Sequence, residues 1–230
     1  MSETPCVAVT GASRGLGLHI ARRALESGYE VVGFARNIPE QPHGFPVVPC
    51  DVGDAEAVRI AFKNLRGKKL WGLVNAAGVA AMNLFLMTPP PTMDRLVRVN
   101  LLGTMYASAE AGRLMARHKQ GRIINFSSIA VPLALKGEAA YVASKAGVEG
   151  FTRAFAREMG DLGVTVNAIA PGPVPTDLIA GISEEKITAL VNEQIIQRQA
   201  SADDVWRIAE WLLGEMSAMT TGQIFSVGGV

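Results

Sequence analysis

The sequence predicts an α/β protein built on a doubly wound parallel sheet of about seven strands, with helices on both faces. Short β-branched apolar runs alternate along the chain with longer segments in which apolar residues recur every three or four positions. A glycine-rich turn at residues 10–17 joins the first run to the first helical segment. No linker, repeat or low-complexity tract interrupts this alternation, so we expect residues 1–230 to form a single domain.

Each strand is predicted from a compact apolar run with turn residues at its ends. The predicted strands are residues 6–10, 30–35, 46–50, 70–75, 122–126, 164–169 and 223–227. Because the first two runs flank a helical segment, they form a strand–helix–strand unit, and such a crossover joins parallel strands.

Helices are predicted from apolar periodicity. They cover residues 16–27, 53–65, 93–118, 183–196 and 201–213, and a segment that contains residues 141–145 and extends to about 162. We expect Gly28 and Gly121 to end two helices, Asp54 to cap a third, and Ser201 with Asp204 to form a capping box. Residues 36–45 contain two prolines and a glycine without a helical period, so we expect a loop there instead of a crossover helix.

Composition limits the classes of function. Hydrophobic residues make up 49% of the chain and charged residues 19%, which suits a sizeable core. The net charge of +1 argues against nucleic-acid binding driven by bulk charge. Neither a secretory signal nor an apolar run of roughly 18 residues occurs, so we expect a cytoplasmic protein with no membrane partner. Cys6 and Cys50 fall in predicted strands about 10 Å apart, too far for a disulfide.

The glycine-rich turn indicates a nucleotide site. Gly11, Gly15 and Gly17 follow the spacing GxxxGxG between a strand and a helix, where they permit a tight turn and close approach of a pyrophosphate. A plain glycine turn is the alternative, since such turns are common. Arg14 and Arg36 supply forked donors that suit a 2′-phosphate, and no acid stands at the end of the second strand, so NADP(H) is favoured.

Tyr141 and Lys145 are four residues apart in a helical segment and so share one face, one turn apart. We expect the ammonium to stabilise the phenolate and lower the pKa of Tyr141, which would allow proton transfer near neutral pH. An ordinary amphipathic helix that happens to carry both residues is the alternative.

Six motifs occur in register along the chain. They are TGASRGLG at 10–17, VNAAG at 74–78, VNLLG at 99–103, FSS at 126–128, YVASK at 141–145 and PGPVPTDL at 171–178. Together they resemble the short-chain dehydrogenase/reductase family, and in particular its single-domain 3-oxoacyl-(acyl carrier protein) reductases. The resemblance covers the whole chain, including the final TGQIFSVGG, and implies a Rossmann-type fold.

The resemblance also implies catalytic roles for four residues. Tyr141 would be the general acid toward a carbonyl oxygen, and Lys145 would hold the nicotinamide ribose and lower the pKa of Tyr141. Ser128 lies 13 residues before Tyr141 and is therefore preferred over Ser127 as the residue that binds the carbonyl oxygen. Asn100 would bind a water in a proton relay from Lys145 to solvent.

Cofactor contacts follow from the same resemblance. Asp51 and Val52 would flank the adenine ring, and the Val174 backbone and Thr176 hydroxyl would meet the carboxamide. The full predicted set is Gly11, Ser13, Arg14, Gly15, Leu16, Gly17, Arg36, Asp51, Val52, Asn75, Ala76, Gly78, Val99, Tyr141, Lys145, Pro171, Gly172, Val174 and Thr176.

The substrate is expected to be a neutral or hydrophobic carbonyl compound, such as a 3-oxoacyl thioester. Residues 129–135 and a lid at 177–200 would enclose it, and both are apolar-biased. A basic patch at Arg113, Arg117, His118 and Lys119 would suit acyl carrier protein, although Leu162 stands where such reductases often carry a basic residue. Relatives assemble as homotetramers or homodimers, and the same is expected here.

An NAD(P)-dependent dehydrogenase of a small or cyclic alcohol and a non-catalytic cofactor-sensing protein are the alternatives to a carbonyl reductase. The three histidines are scattered and no metal-binding motif occurs, so we expect no metal site. A serine hydrolase is excluded because GxSxG is absent.

Overall fold

The computed structural model describes residues 4–38, 40–41 and 43–230. Its strands form one parallel sheet in the order β3-β2-β1-β4-β5-β6-β7. They are β1 (Cys6–Thr10), β2 (Glu30–Ala35), β3 (Val47–Pro49), β4 (Leu70–Asn75), β5 (Gly121–Phe126), β6 (Val164–Ala170) and β7 (Ile224–Ser226). The predicted fold class and the seven strands are confirmed, with β1, β2 and β4 at the predicted bounds.

Eight α-helices connect these strands in the described part of the chain. They are α1 (Gly15–Glu26), α2 (Ala55–Ala61), α3 (Pro90–Leu96), α4 (Gly103–Ala116), α5 (Ala130–Leu133), α6 (Ala139–Gly160), α7 (Glu184–Asn192) and α8 (Ala202–Leu213). Short 3₁₀ turns lie at Phe62–Leu65, Phe85–Met87 and Glu215–Ser217. The described residues between β2 and β3 contain no helix, as the prolines and glycine predicted.

The sheet is covered on both faces because its strands alternate side chains between two cores. Val7 and Val9 point into a core with α1 and α8, where Trp206 is 1% exposed. Cys6 and Ala8 point into a second core with α2, α4 and α6. Burial on both faces explains why the strands read as continuous apolar runs.

The long predicted helix at 93–118 is wrong as a single element. Helix α3 begins earlier, at Pro90, and a π-helical turn at Val97–Leu102 separates it from α4. Helix α4 ends at Ala116, and Lys119 takes a positive φ of 50° in the turn that follows. Gly121 therefore does not end the helix; it is the first residue of β5.

Two of the predicted helix caps are confirmed. The Asp54 carboxylate accepts hydrogen bonds from the backbone N–H groups of Glu56 and Ala57, at 2.9 and 3.1 Å. Ser201 and Asp204 form the predicted capping box at the start of α8. By contrast, α7 ends at Asn192, four residues before the predicted end at 196, and the predicted 53–65 helix finishes as a 3₁₀ turn.

The residues that follow β1, β4, β5 and β6 meet at one edge of the sheet. Parallel strands bring their carboxyl ends together, and strand order reverses between β1 and β4, where α/β sheets bind ligands. The glycine turn, the NAAG segment, Ser128 and Pro171 all lie directly after these strand ends. The fold therefore gathers the predicted motifs at a single edge.

Both cysteines are free and buried, with Cys6 in β1 and Cys50 directly after the end of β3, one residue beyond the observed strand. Burial raises the pKa of the Cys6 thiol to about 12 and that of Cys50 to about 11. Among the described residues, no helix combines the length and apolar character needed to cross a bilayer.

The capping box at α8 should contribute measurably to stability. Ser201 Oγ accepts from the Asp204 N–H at 3.2 Å, and the Asp204 carboxylate accepts from the Ser201 N–H at 2.8 Å. We expect Ser201→Ala to lower the free energy of unfolding by about 1 kcal/mol, measured by urea denaturation. The control is Ser183→Ala, because Ser183 precedes α7 without a side-chain capping bond. Equal losses in the two variants would contradict the assignment.

Candidate active site

A cleft of about 770 Å³ opens at the carboxyl edge of the sheet. Every residue of the predicted cofactor set lines it except Asn75. Ser128 lines it as well. Its volume lies within the usual range for small-molecule and cofactor sites.

The glycine turn is built so that only glycine fits at its key positions. Gly11 and Gly15 adopt positive φ values of 70° and 57°. A Cβ on Gly17 would lie 2.3 Å from the Gly11 carbonyl oxygen, and one on Gly11 would lie 2.8 Å from Ala77. The turn therefore packs tightly on its neighbours and leaves an open backbone cradle beside α1, which fits a dinucleotide pyrophosphate.

Two arginines stand beside this cradle. Arg14 precedes α1 without capping it and lies 3.5 Å from the Asp177 carboxylate, with both side chains largely exposed. Arg36 follows β2 and is exposed at the rim of the cleft. The Asp51 carboxylate accepts from the Gly53 N–H at 2.9 Å. The end of β2 thus presents an arginine and no acid, the arrangement that suits a 2′-phosphate.

Helix α6 carries Tyr141 and Lys145 into the same cleft. Both are buried, and Lys145 Nζ lies 5.9 Å from the centroid of the Tyr141 ring. Lys145 Nζ donates to the Phe126 carbonyl oxygen at 2.8 Å, which ties α6 to the end of β5. The helix therefore holds the two side chains together at the strand end, as their spacing predicted.

Ser128 and Ser127 have different environments. Ser128 Oγ accepts from the Ala130 N–H at 3.1 Å and lies close enough to Tyr141 to affect its pKa. The Ser127 hydroxyl donates to the Glu149 carboxylate at 2.8 Å. Ser127 is thus engaged away from Tyr141, and Ser128 is the serine that accompanies the pair.

The expected lowering of the Tyr141 pKa is wrong for this structure. Burial raises the pKa of Tyr141 to about 12; the Ser128 hydroxyl opposes the rise and the Glu138 carboxylate adds to it. Burial also lowers the pKa of Lys145 to about 8. The reason is that both groups leave water, and desolvation disfavours the phenolate and the ammonium alike. Tyr141 is therefore a protonated phenol throughout the neutral range.

Asn100 does not line the cleft. It lies in the π-helical turn and is fully buried. Its side-chain amide binds both the N–H and the carbonyl group of Val79. Its Oδ1 accepts from the Val79 N–H at 2.9 Å, and its Nδ2 donates to the Val79 carbonyl at 2.9 Å and to Ser144 Oγ at 3.0 Å. The side chain thus fixes the loop after β4 against α6, and its role in a proton relay stays a prediction.

Asn75 lies behind the cleft within a buried polar chain. Its Nδ2 donates to Ser108 Oγ at 3.0 Å and to Asn125 Oδ1 at 2.9 Å. Asn125 in turn donates to Thr152 Oγ1 at 2.9 Å. This chain joins β4 and β5 to α4 and α6, so Asn75 supports the site from beneath and does not form its wall.

Two residues of the site escaped sequence reasoning. Ser144 receives the Asn100 amide and donates to the Tyr141 carbonyl oxygen at 2.7 Å. Glu138 lines the cleft beside Tyr141 and is 8% exposed. Their positions three residues after and three residues before Tyr141 were the available signal, since such residues share a helix face.

The fold and the site together define an oxidoreductase that works with a bound nucleotide. A glycine cradle follows β1, and a serine, a tyrosine and a lysine converge in the same cleft at the switch point of a parallel sheet. A family model described as Enoyl-(Acyl carrier protein) reductase matches residues 11–229. The chain belongs to the short-chain dehydrogenase/reductase family, as its motifs predicted.

Known proteins resemble this chain over its full length. The 3-oxoacyl-(acyl-carrier-protein) reductase FabG of Staphylococcus aureus is 33% identical, with 100% of this chain and 98% of the relative covered. A structure from Beutenbergia cavernae, described as an NAD(P)-dependent gluconate 5-dehydrogenase with NADP at low occupancy, is 28% identical. It has a TM-score of 0.92 and covers 98% of this chain and 96% of its own. A 4-hydroxyisoleucine dehydrogenase complexed with NADH is 26% identical, with a TM-score of 0.89 and 98% of each chain covered.

Asn100 should matter for stability because it satisfies three groups of its neighbours. We expect Asn100→Leu, which keeps the volume but removes the amide, to lower the free energy of unfolding by at least about 2 kcal/mol. The N–H and carbonyl groups of Val79, which is half-buried, would lose their partners. Chemical denaturation measures the loss, and Asn192→Leu is the control because Asn192 is exposed at the end of α7. A loss no larger than that of the control would contradict this role.

Proposed function

We propose that the protein reduces a carbonyl group to a secondary alcohol with NADP(H), and that its substrate is a 3-oxoacyl thioester or a similar hydrophobic ketone. The observation that carries the proposal is the meeting of Ser128, Tyr141 and Lys145 in one cleft with the glycine cradle. The name of the Staphylococcus aureus relative supports the acyl thioester as substrate class.

NADP(H) is favoured over NAD(H) by the chain's own residues. The solved neighbours include one structure with NADP and one with NADH, so the fold admits both cofactors. Arg36 at the end of β2 and Arg14 in the turn offer guanidinium groups to a 2′-phosphate. No acid stands at the end of β2, where it would repel the 2′-phosphate. Ala76, Gly78, Val174 and Thr176 also line the cleft and would border the nicotinamide half.

The protein supplies a proton and geometry, and bound NADPH supplies the hydride. Ser128 Oγ would hydrogen-bond the carbonyl oxygen and hold it toward Tyr141. The phenol of Tyr141 would donate its proton to that oxygen as charge develops there. Because the pKa of Tyr141 is about 12 in this structure, the phenol keeps its proton at neutral pH until a carbonyl oxygen accepts it.

Lys145 would serve the same step through its charge. Its pKa of about 8 means that the ammonium is present below that pH and is lost above it. A cation beside the ring would stabilise the phenolate that proton donation leaves behind. Its hydrogen bond to the Phe126 carbonyl fixes Nζ in the cleft wall, from which it would also reach the ribose hydroxyls.

The substrate would enter between two apolar segments. The cleft is also lined by the apolar residues Ile129, Leu135, Leu178, Ile182 and Leu190. The segment at 177–200, with α7 at its centre, is proposed as the lid. Arg113, Arg117, His118 and Lys119 are exposed at and beyond the end of α4, and delivery by acyl carrier protein and a homotetrameric or homodimeric assembly remain predictions.

Oxidation of a small hydroxylated substrate is the second candidate. It is favoured by the description of the Beutenbergia cavernae structure as a gluconate 5-dehydrogenase. The same residues would act in reverse, with Tyr141 accepting the proton as a phenolate, which is the minor form at neutral pH because the pKa of Tyr141 is about 12 in this structure. A panel containing both ketones and polyols separates the two candidates.

We expect the purified protein to oxidise NADPH in the presence of at least one member of a panel of 3-oxoacyl thioesters, diketones and cyclic ketones, followed by the absorbance of the reduced cofactor. Tyr141→Phe should lower kcat by roughly 10²–10⁴-fold, because the proton donor is lost. Tyr106→Phe, on α4 outside the cleft, is the control and should keep full activity. NADPH binding without turnover of any ketone would favour a cofactor-sensing protein instead.

The cofactor preference should depend on Arg36. We expect Arg36→Asp to weaken NADPH binding roughly 10–100-fold and to leave NADH binding equal or improved, because a charge-assisted hydrogen bond to the 2′-phosphate is replaced by repulsion. Titration of both cofactors by calorimetry measures the ratio of affinities. Arg22→Asp makes the same charge change on α1 away from the cleft. An unchanged ratio in Arg36→Asp would overturn the 2′-phosphate assignment.

A further inference from the structure

Glu138 occupies an unusual position in the cleft. It immediately precedes α6, three residues before Tyr141. It lines the main cleft and also an adjoining hollow of about 430 Å³, which Leu133, Lys136, Ala189 and Glu193 help to enclose. Glu138 therefore stands where the space next to Tyr141 opens into the space beneath α7.

Glu138 is largely buried, and its carboxyl has no partner among the described residues. Its oxygens are not among the fully enclosed polar atoms, so the carboxyl still opens onto the cleft that it lines. The residue is 8% exposed, yet its side chain makes no hydrogen bond or ion pair with any residue that the structure describes. It does not cap α6, although it stands at the capping position. Lys136 and Lys186 border the hollow but form no salt bridge with it within the described chain. Burial raises the pKa of this carboxyl, which is the expected effect when nothing compensates for lost water.

Structural carboxyls in this protein behave differently. The Asp54 and Asp204 carboxylates accept backbone N–H bonds at helix starts, and Glu149 accepts the Ser127 hydroxyl. A carboxyl with most of its side chain out of water and no protein partner is costly, because its remaining contact with water in the cleft only partly replaces the lost hydration. Because Glu138 faces the cleft next to the proposed proton donor, the missing partner is expected from the substrate.

We propose that Glu138 recognises a hydrogen-bond donor, either a hydroxyl or an ammonium group, that the substrate carries close to its carbonyl carbon. Residues three apart on a helix lie about 5–6 Å from each other at Cβ, so a group on Glu138 is a few bonds from an oxygen held at Tyr141. The inference rests on the proposed function and narrows its substrate class. The preferred ketone carries a hydroxyl or an ammonium group on one side of its carbonyl. The expectation of a purely hydrophobic substrate is replaced by one that keeps its apolar part against Leu135 and Leu190.

A matched set of ketones tests the proposal with NADPH. Cyclohexanone, its α-hydroxy derivative and its α-amino derivative differ only in the donor. We expect the unaltered chain to prefer at least one of the two derivatives by about tenfold or more in kcat/KM, which is the size of one good hydrogen bond. Glu138→Leu should abolish that preference while retaining turnover of cyclohexanone.

Two variants identify the donor and guard against misfolding. Glu138→Gln keeps hydrogen bonding but removes the charge, so a preference for the hydroxyl compound should survive in it within about threefold and a preference for the amino compound should disappear. If thermal melting shows that Glu138→Leu is unfolded, Glu138→Ala takes its place. Glu158→Leu changes an exposed carboxylate at the far end of α6 and should leave every ratio unchanged.

The outcomes separate this inference from the proposed function. Turnover of cyclohexanone by the unaltered chain, with no preference for either derivative or with a preference that Glu138→Leu leaves intact, would overturn the role of Glu138 alone. NADPH binding without turnover of any of the three ketones or of the thioester panel would overturn the proposed function and this inference with it. A uniform change in all three rates would indicate an effect on Tyr141 and would also refute donor recognition, because only the ratios report it.

Discussion

The hydrogen bond from Lys145 to the Phe126 carbonyl is the contact on which the site depends. It carries a cation into the interior, and the lowering of the Lys145 pKa to about 8 corresponds to a desolvation cost on the order of 3 kcal/mol. That cost is offset by the packing of α6 against β5 and β6, where apolar side chains of the helix and of the two strands form part of the second core. Helix α6, fixed there, brings Tyr141 to the end of β5, which Ser128 follows by two residues.

Much of the fold and of the site could be predicted because it depends on patterns among residues that are close together in the sequence. Strands buried on both faces give continuous apolar runs, so β1, β2 and β4 were predicted at their observed bounds. The capping box at Ser201 is a four-residue signal, and the glycine spacing reports a turn that only glycine can form. Parallel strands then bring the motifs to one edge without any further information.

What could not be predicted depends on packing between distant segments. The direction of the Tyr141 pKa follows from burial, which spacing along a helix does not show. Asn75 and Asn100 both sit in motifs next to the cleft, but their amides turn toward Ser108 and Val79. That the Glu138 carboxyl opens onto the cleft without a partner among the described residues likewise becomes apparent only when the neighbouring elements are assembled.

The π-helical turn at Val97–Leu102 limits which deletions the sequence can tolerate. A turn closed one residue later than usual shifts the angular phase of everything after it by about 100°. Asn100 can therefore face Val79 and α6 while Ala107, Ala111 and Met115 face the second core. Loss of one residue here would rotate that apolar stripe away from the sheet. A one-residue deletion in this segment should therefore be tolerated less well than one in an exposed helix. The length of the segment is fixed by the contacts of Asn100 and by the second core together.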